Sequence, residues 1–407
     1  NGLACSPEHG GQGMPGALNV LVEEMMCSSN MAFGTYAGLT RGAYRAINMF
    51  GCDKLKALYL PRLASGEWTG TMCLTEPQCG TDLGLIRTRA EHDDDGNYAL
   101  RGTKIFISAG EHDLSSNIIH LVLARLPDAP AGIKGISLFL VPKFLPDENE
   151  APGQRNTLTC ASIENKMGIK ASATCVMNFD EATGFLIGPE NKGLNCMFTF
   201  MNTARIGTSI QGLAHAELSY QGALTYAKER KSMRALSGKK EPDAIADSLI
   251  HHGDVRRMLL KQKAIAEGGR AMIYFAAQYA DKMISAAQAD NDEEYQKWDD
   301  ELGFLTPILK GFLTEKGLEV ANDGMQVFGG HGYIKEHGME QIARDARIAT
   351  LYEGTTGIQA LDLVGRKLPV HMGRYLRRFF HPVQAWIDDN TTQPAMHPFV
   401  LPLAKAF

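Results

Sequence analysis

The run YALRGTKIFIS, residues 98–108, decides the fold class. It is rich in β-branched and aromatic residues, alternates in part, and follows the turn cluster HDDDGN at 92–97. That combination predicts a strand entered from a tight turn. Three further runs share the character: IIHLVLARL at 118–126, GISLFLVPKF at 135–144 and ATCVMNFD at 173–180. Turn clusters PDAPAGIKG (127–135) and NEAPGQRN (149–156) separate them. No helical period stands between these strands. The segment 68–188 therefore predicts a β domain with hairpins and argues against a doubly wound βαβ sheet.

On both sides the period changes. LNVLVEEMM (18–26), SNMAFGTYAGLTRGAYRAINMF (29–50) and DKLKALYLPRLASG (53–66) repeat small and apolar residues at three- and four-residue spacing, as helices do. From about 191 the helical period returns over 194–232, 244–289, 297–328 and 339–365. DNDEEYQKWDDE near 290 reads as a solvated acidic loop or helix start. The order predicts four parts: an N-terminal helical domain over 1–67, a central β domain over 68–190, a C-terminal helical bundle over 191–370, and a further helical segment over 371–407. The opening NGLACSPEHGGQG has neither the basic nor the apolar region of a signal peptide and no initiator Met, so the natural N-terminus is expected to lie further upstream. The tail reads as the beginning of a segment that continues.

Composition narrows the function classes. A chain of 407 residues with 44% hydrophobic and 21% charged residues is ordinary for a globular protein. A net charge of −5 gives no reason to expect nucleic acid or a membrane surface as partner. No apolar run reaches 18 residues, so no membrane helix is expected. The eight cysteines form no C-x-x-C pair and read as buried thiols in a reducing cytosol. Cys73 and Cys79 fit zinc spacing poorly. The adjacent His251 and His252 point different ways on a helix. No metal site is expected.

Four short segments carry possible chemistry, and each has a bland reading. MCLTEPQCGTDLG (72–84) runs from a strand into a Thr- and Gly-containing loop whose hydroxyls and N–H groups suit a phosphate or a polar ring edge. It also reads as an ordinary Pro-Gly loop. In TKIFISAG (103–110), Phe106 and Ser108 share a strand face that could pack on a flat heterocycle, or simply form a hydrophobic face. MQVFGGHGYI (325–334) fails as a dinucleotide fingerprint, since it lacks the third Gly at the right spacing and a preceding strand. Its glycines still permit close backbone approach to a ligand or another chain. LYEGTTGIQ (351–359) places Glu353 ahead of a Gly-Thr-Thr-Gly patch that a helix should avoid. Read alone, Glu353 is a solvated acid that favours a helix start.

Together, TEPQCGTD, KIFISAG, ALTYAKERKSM, MQVFGGHGYI and RDARIATLYEGTTGIQ, in this order and in a helix–β–helix chain, resemble the acyl-CoA dehydrogenase family. The likeness runs from about residue 8 to about 368. NKMGIKASATCVMNFD and MNTARIG resemble its longer subgroup. The resemblance implies an α+β fold of the acyl-CoA dehydrogenase type with FAD between the β domain and the C-terminal helices. Met72, Leu74, Thr75, Gly80 and Thr81 would line one side of the flavin and its pyrophosphate. Phe106, where Trp is common, and Ser108 would face the ring. Arg230, Met233 (replacing a usual Phe), Gln326 and Gly330 would reach the cofactor of a neighbouring subunit. Thr355 would touch the diphosphate region, and Gly357 stands where the family often has Gln, removing a side-chain hydrogen bond. Arg205, Asn202 (where Asp is common), Thr81 and Gly354 would serve the substrate.

The same resemblance makes Glu353 the base that removes the α-proton of an acyl-CoA thioester. That proton is less acidic than a carboxyl group by ~10 units, so burial must raise the affinity of Glu353 for protons and donors must stabilise the enolate. In the family the donors are the Glu N–H and a flavin ribityl hydroxyl. The implied product is a trans-2-enoyl-CoA. The implied substrates are 3-methylmercaptopropionyl-CoA or a medium- or long-chain acyl-CoA, and the implied electron acceptor is an electron-transfer flavoprotein. A homodimer or homotetramer in a bacterial-type cytoplasm is expected, with the mitochondrial matrix as the other compartment. An acyl-CoA oxidase using O₂ shares the same residues, and a non-catalytic acyl-CoA-binding paralogue is a third reading that Glu353 counts against.

Overall fold

The hydrophobic period changes twice along the chain, and the architecture changes with it. The computed structural model describes residues 2–407. Helices α1 (Gly16–Phe50) and α2 (Asp53–Ser65) come first. Helix α1 is kinked at Asn30, which has φ −157° and ψ 85°, at the junction between its two helical sequence runs. The strands follow: β1 (Trp68–Cys73), β2 (Arg89–His92), β3 (Tyr98–Ser108), β4 (Asn117–Arg125), β5 (Ile136–Pro142), β6 (Phe144–Pro146), β7 (Pro152–Arg155), β8 (Leu158–Ile163) and β9 (Thr174–Ile187). Helices α3 (Gly193–Glu229), α4 (Gly253–Gln288), α5 (Asp292–Phe328), α6 (Met339–Ala346), α7 (Thr356–Asp362), α8 (Arg374–Asn390) and α9 (His397–Ala406) complete the chain.

The main sheet runs β1-β4-β2-β3-β9-β5, with β8 added on β9. Strand β5 pairs both β9 and β4, so the sheet closes on itself as a barrel, which leaves fewer open edges. Hairpins β2–β3 and β4–β5 are antiparallel, as a turn-punctuated sequence implies. The parallel pairing of β1 with β4 departs from a hairpin-only reading: β1 enters from α2 and lies beside a strand three elements later. The barrel interior holds Leu100, Val122, Phe139 and Met177. Its outer face, with Leu121, Leu138 and Leu140, packs on Ile47, Tyr59, Leu60 and Phe200 of the flanking helices.

Two glycines let α3 and α5 touch backbone to backbone. A Cβ on Gly212 would lie 2.3 Å from the Leu313 carbonyl oxygen, and one on Gly317 2.4 Å from that of Gly212. This crossing brings Arg205 and Lys310 to the same end of the bundle. Gly212→Ala is expected to destabilise the protein by about 3 kcal/mol in denaturant titrations, since overpacking here meets backbone rather than a movable side chain. Gly268→Ala, with nothing within 4 Å of the added carbon, is expected to be neutral or stabilising.

The acidic stretch near 290 starts α5: the Asn291 side chain accepts from the Glu294 N–H at 3.1 Å, and Asp292, Glu293 and Glu294 fill the first turn, as the helix dipole favours. Buried Asp300 then fastens the C-terminal segment through Arg374 (2.7 Å) and Arg378 (2.6 Å). Cys52 is exposed and Cys160 half-buried, unlike the uniformly buried thiols expected. Cys52 lies in the short connection between α1 and α2, where no core covers it.

Candidate active site

The chain leaves α6 through a 3₁₀ turn, Arg347–Thr350, and reaches Glu353 in a left-handed conformation, φ 55°. Gly354 follows at φ 84°. A non-glycine residue held there costs on the order of 1–3 kcal/mol and persists only when its surroundings enforce it. The buried Gln359 of α7 does so: its Nε2 donates to the carbonyls of Glu353 (3.2 Å) and Gly354 (3.1 Å). A Cβ on Gly354 would lie 2.7 Å from that nitrogen. The Thr355 hydroxyl caps α7, accepting from the Ile358 N–H at 3.3 Å. The Tyr352 hydroxyl donates to Gln211 on α3. The Glu353 N–H makes no hydrogen bond among the described residues.

Two cations oppose Glu353. Arg205 on α3 is buried and pairs with Asp362 at 3.3 Å. Lys310 on α5 is fully buried. Burial pushes the Glu353 carboxyl up, the fields of Arg205 and Lys310 pull it back, and it comes to about 7. Burial pushes the Lys310 ammonium down to about 8, against the attraction of Glu353. Around them Lys310 Nζ, Arg205 Nε and Gln359 Oε1 are buried without a hydrogen-bond partner among the described residues. Native interiors keep few such groups unpaired, so each calls for a reason.

The barrel presents a second surface. Glu76 is buried and pairs with the fully buried Lys104 at 2.8 Å. It also accepts from the N–H groups of Arg87 (2.7 Å) and Thr88 (3.0 Å) and from the Thr88 hydroxyl (2.6 Å). Burial alone would raise the Glu76 carboxyl, but Lys104 and these hydrogen bonds outweigh it and hold it at about 2. Lys104 Nζ also donates to the Leu74 carbonyl (3.0 Å), and Ile105 N–H to that of Thr75 (2.9 Å). The loop after β1 is thus clamped to β3. Leu74 is buried, Met72 and Thr75 are half-buried, and Gly80 and Thr81 are exposed. A bulge interrupts β3 between Lys104 and Ile107, with Phe106 at φ 58°. The strict alternation that would place Phe106 and Ser108 on one face is therefore broken. Phe106 stands 60% exposed while Ser108 is half-buried.

The segment between β8 and β9 joins the two surfaces. Ile169 N–H donates to Asp345 at 2.6 Å, and Arg344 donates to the Met167 carbonyl at 2.9 Å. Ala173 N–H donates to the Tyr36 hydroxyl at 3.0 Å, just past the α1 kink. Met31, Ala32, Ile169 and Ile348 pack together with Tyr352, the residue next to Glu353 in the chain.

The other sequence-derived residues lie elsewhere. Asn202 is exposed, one turn before Arg205, and Gly357 is exposed on the first turn of α7. Arg230, Met233, Gln326 and Gly330 are exposed at the far end of α3 and α5. There Tyr226 stacks on Phe328 with ring centres 4.0 Å apart and its hydroxyl meets His331 Nδ1 at 2.7 Å. Arg230 lies 25 residues beyond Arg205 on α3, about 37 Å along a helix axis. The four therefore do not gather at Glu353. Sequence reasoning missed Lys310, Asp362, Gln359, Gln211 and the Glu76–Lys104 pair. The available signals were Lys310 inside the apolar run PILKGFL and Lys104 at an inward position of a strand.

Known proteins resemble this chain along its length. Family models for the acyl-CoA dehydrogenase N-terminal domain match residues 1–67, for the middle domain 71–182 and for the C-terminal domain 191–368. A 3-methylmercaptopropionyl-CoA dehydrogenase of Ruegeria pomeroyi is 49% identical over 94% of this chain and 64% of its own length. An acryloyl-CoA reductase (NADH) of Anaerotignum propionicum is 30% identical over 88% of this chain and 81% of its own. The solved structure of butyryl-CoA dehydrogenase from Megasphaera elsdenii superimposes with a TM-score of 0.74 at 26% identity, covering 90% of this chain and 86% of that one. The chain spans 60–65% of the length of the curated relatives that it matches at 35% identity or more.

Proposed function

The chain belongs to the acyl-CoA dehydrogenase family, and from that premise we propose that it oxidises an acyl-CoA thioester to the trans-2-enoyl-CoA, with Glu353 as the base. The observation that carries this reading is the Glu353 carboxyl itself, held near 7 by burial against two cations on a strained loop pinned by Gln359. Such a carboxylate is free to accept a proton near neutral pH, where an exposed one is too weak a base.

Members of the family are FAD-dependent, and the residues present fit that group. Phe106 offers an exposed aromatic ring at a bulge, Gly80 and Thr81 offer an open loop, and the Glu76–Lys104 clamp fixes both against the barrel. Met72, Leu74, Thr75, Ser108 and Thr355 complete the proposed contact set. Bound FAD would supply the acceptor for the two electrons that leave with the β-hydrogen. Glu353 takes the α-proton as the Cα=Cβ bond forms. Its own unpaired N–H would donate to the thioester oxygen, with Gly354 giving the acyl group room to approach. Arg205 and Asp362 hold the charge balance behind the carboxyl. Arg230, Met233, Gln326 and Gly330 lie at the end of the bundle away from Glu353 and would serve the cofactor of a second copy in a homo-oligomer. The Ruegeria relative favours 3-methylmercaptopropionyl-CoA as the substrate, and an electron-transfer flavoprotein is the proposed acceptor.

The pH dependence tests the base. Because Glu353 must be ionised to act, kcat/KM with an acyl-CoA should be low in acid and rise through a midpoint near 7. A profile flat from pH 5 to about 8 would remove a carboxyl of this kind from the step.

A further inference from the structure

Lys310 is an unexplained cost in the helical bundle. Its side chain is fully buried and its Nζ has no hydrogen-bond partner among the described residues. Taking an ammonium out of water costs several kcal/mol, and a methionine of similar length would avoid it. No carboxylate lies within ion-pair distance of Nζ among the described residues. The position on α5 is informative. The neighbouring Gly311 sits with its Cβ position 3.7 Å from Gln359 Cβ, and Gln359 pins the Glu353 and Gly354 carbonyls. The turn of α5 that carries Lys310 therefore packs on the residue that pins the loop carrying the acid. The charges that act on it are Glu353, Arg205 and Glu315. Those that act on Glu353 are Arg205 and Lys310. Arg205 is already engaged by Asp362 at 3.3 Å, which leaves Lys310 as the uncommitted cation.

We propose that Lys310 is a positioning residue for Glu353: its buried, unpaired ammonium favours the ionised form of the Glu353 side chain and draws it toward α5 in the substrate-free protein, so that more of the carboxylate is ready when an acyl-CoA binds. This rests on the reading of Glu353 as the base. Neutralising Lys310 removes the field that favours the ionised acid, so Glu353 binds its proton more tightly. A merely structural lysine would affect stability and leave that proton affinity alone.

The test uses the flavin-loaded full chain with Lys310→Met, Lys310→Gln and Lys310→Arg. Lys310→Met and Lys310→Gln should move the acid limb of kcat/KM up by about one pH unit, and Lys310→Arg should restore it. An acid limb that stays in place in the neutral variants overturns the proposal. A second readout needs no activity. A group whose proton affinity is raised on folding contributes stability that is full below its unfolded value and declines as pH rises through its folded value. For Glu353 that window runs from the ordinary 4.5 to about 7. Lys310→Gln should extend the decline in thermal stability past this window, and the extension should vanish when Glu353→Gln is added. If no acyl-CoA is turned over but the coupling of the two substitutions persists, the functional reading fails and the pairing stands. If turnover is normal and the coupling is absent, the pairing fails alone.

Discussion

Glu353→Gln should lower turnover of any accepted acyl-CoA by about 10³–10⁴-fold, the usual worth of a positioned base, while acyl-CoA and FAD still bind. Glutamine keeps the size and the loop contacts, which run through the backbone carbonyls of residues 353 and 354 rather than the carboxyl. The same substitution should stabilise the fold at neutral and alkaline pH. Glu353 holds its proton up to about 7 in the folded state against 4.5 ordinarily, so the folded chain binds more protons than the unfolded one over that interval and stability falls as pH rises through it. The amide has no such penalty. The melting temperature of the variant, relative to the wild type, should therefore climb between pH 5 and about 8. A loss of activity with a loss of stability at pH 8 would show instead that the carboxylate is a structural partner. Activity and stability moving in opposite directions is the signature of a residue whose strain serves the chemistry.

Glu76→Gln should strongly destabilise the β domain. The carboxylate accepts three hydrogen bonds from residues 87 and 88 and neutralises a fully buried ammonium. Removing one partner of a buried ion pair leaves an uncompensated charge and costs about 3–5 kcal/mol. The folded Glu76 titrates at about 2 against 4.5 ordinarily, so its contribution is complete above 4.5 and drains away as pH falls toward 2. Wild type and variant should therefore converge in stability in acid. Because the clamp holds the loop after β1 to β3, FAD occupancy should fall with stability, and added FAD should recover part of both. Equal denaturation midpoints for variant and wild type at pH 7 would show that the clamp is dispensable. Lys104→Met is the instructive companion: combined with Glu76→Gln it removes the buried charge as well and should recover part of the loss.

Much of the architecture could be read from hydrophobic period alone. The change from three- and four-residue spacing to broken alternation near 68, and back near 191, matches the passage from α2 to β1 and from β9 to α3. Neither the closure of the barrel, through β5 pairing with both β4 and β9, nor the parallel pairing of β1 with β4 could be read, because period says nothing about which strands meet. Phe106 shows the limit at one residue. Alternation assumes an unbroken pleat, and a left-handed residue at a bulge turns the side chain out of that count. At Glu353 the neighbouring glycines and threonines marked a backbone bend, which the left-handed φ of 55° matches, while the role proposed for the carboxyl came from the family resemblance and not from those neighbours. Lys310 was not legible, because it comes from α5, more than 40 residues away, and shares an end of the bundle with Arg205 through the glycine-permitted crossing of α3 and α5; Gln359 and Asp362 are near in sequence, but nothing in their types marks the loop and ion-pair contacts that they make.

The most direct test of the account is anaerobic mixing of the flavin-loaded protein with a saturated acyl-CoA while the oxidised flavin band is followed. The wild type should bleach within a turnover and release the 2-enoyl thioester, and Glu353→Gln should bind the thioester with its flavin still oxidised. Bleaching of the Glu353→Gln protein at the wild-type rate would contradict the assignment of that carboxyl as the base.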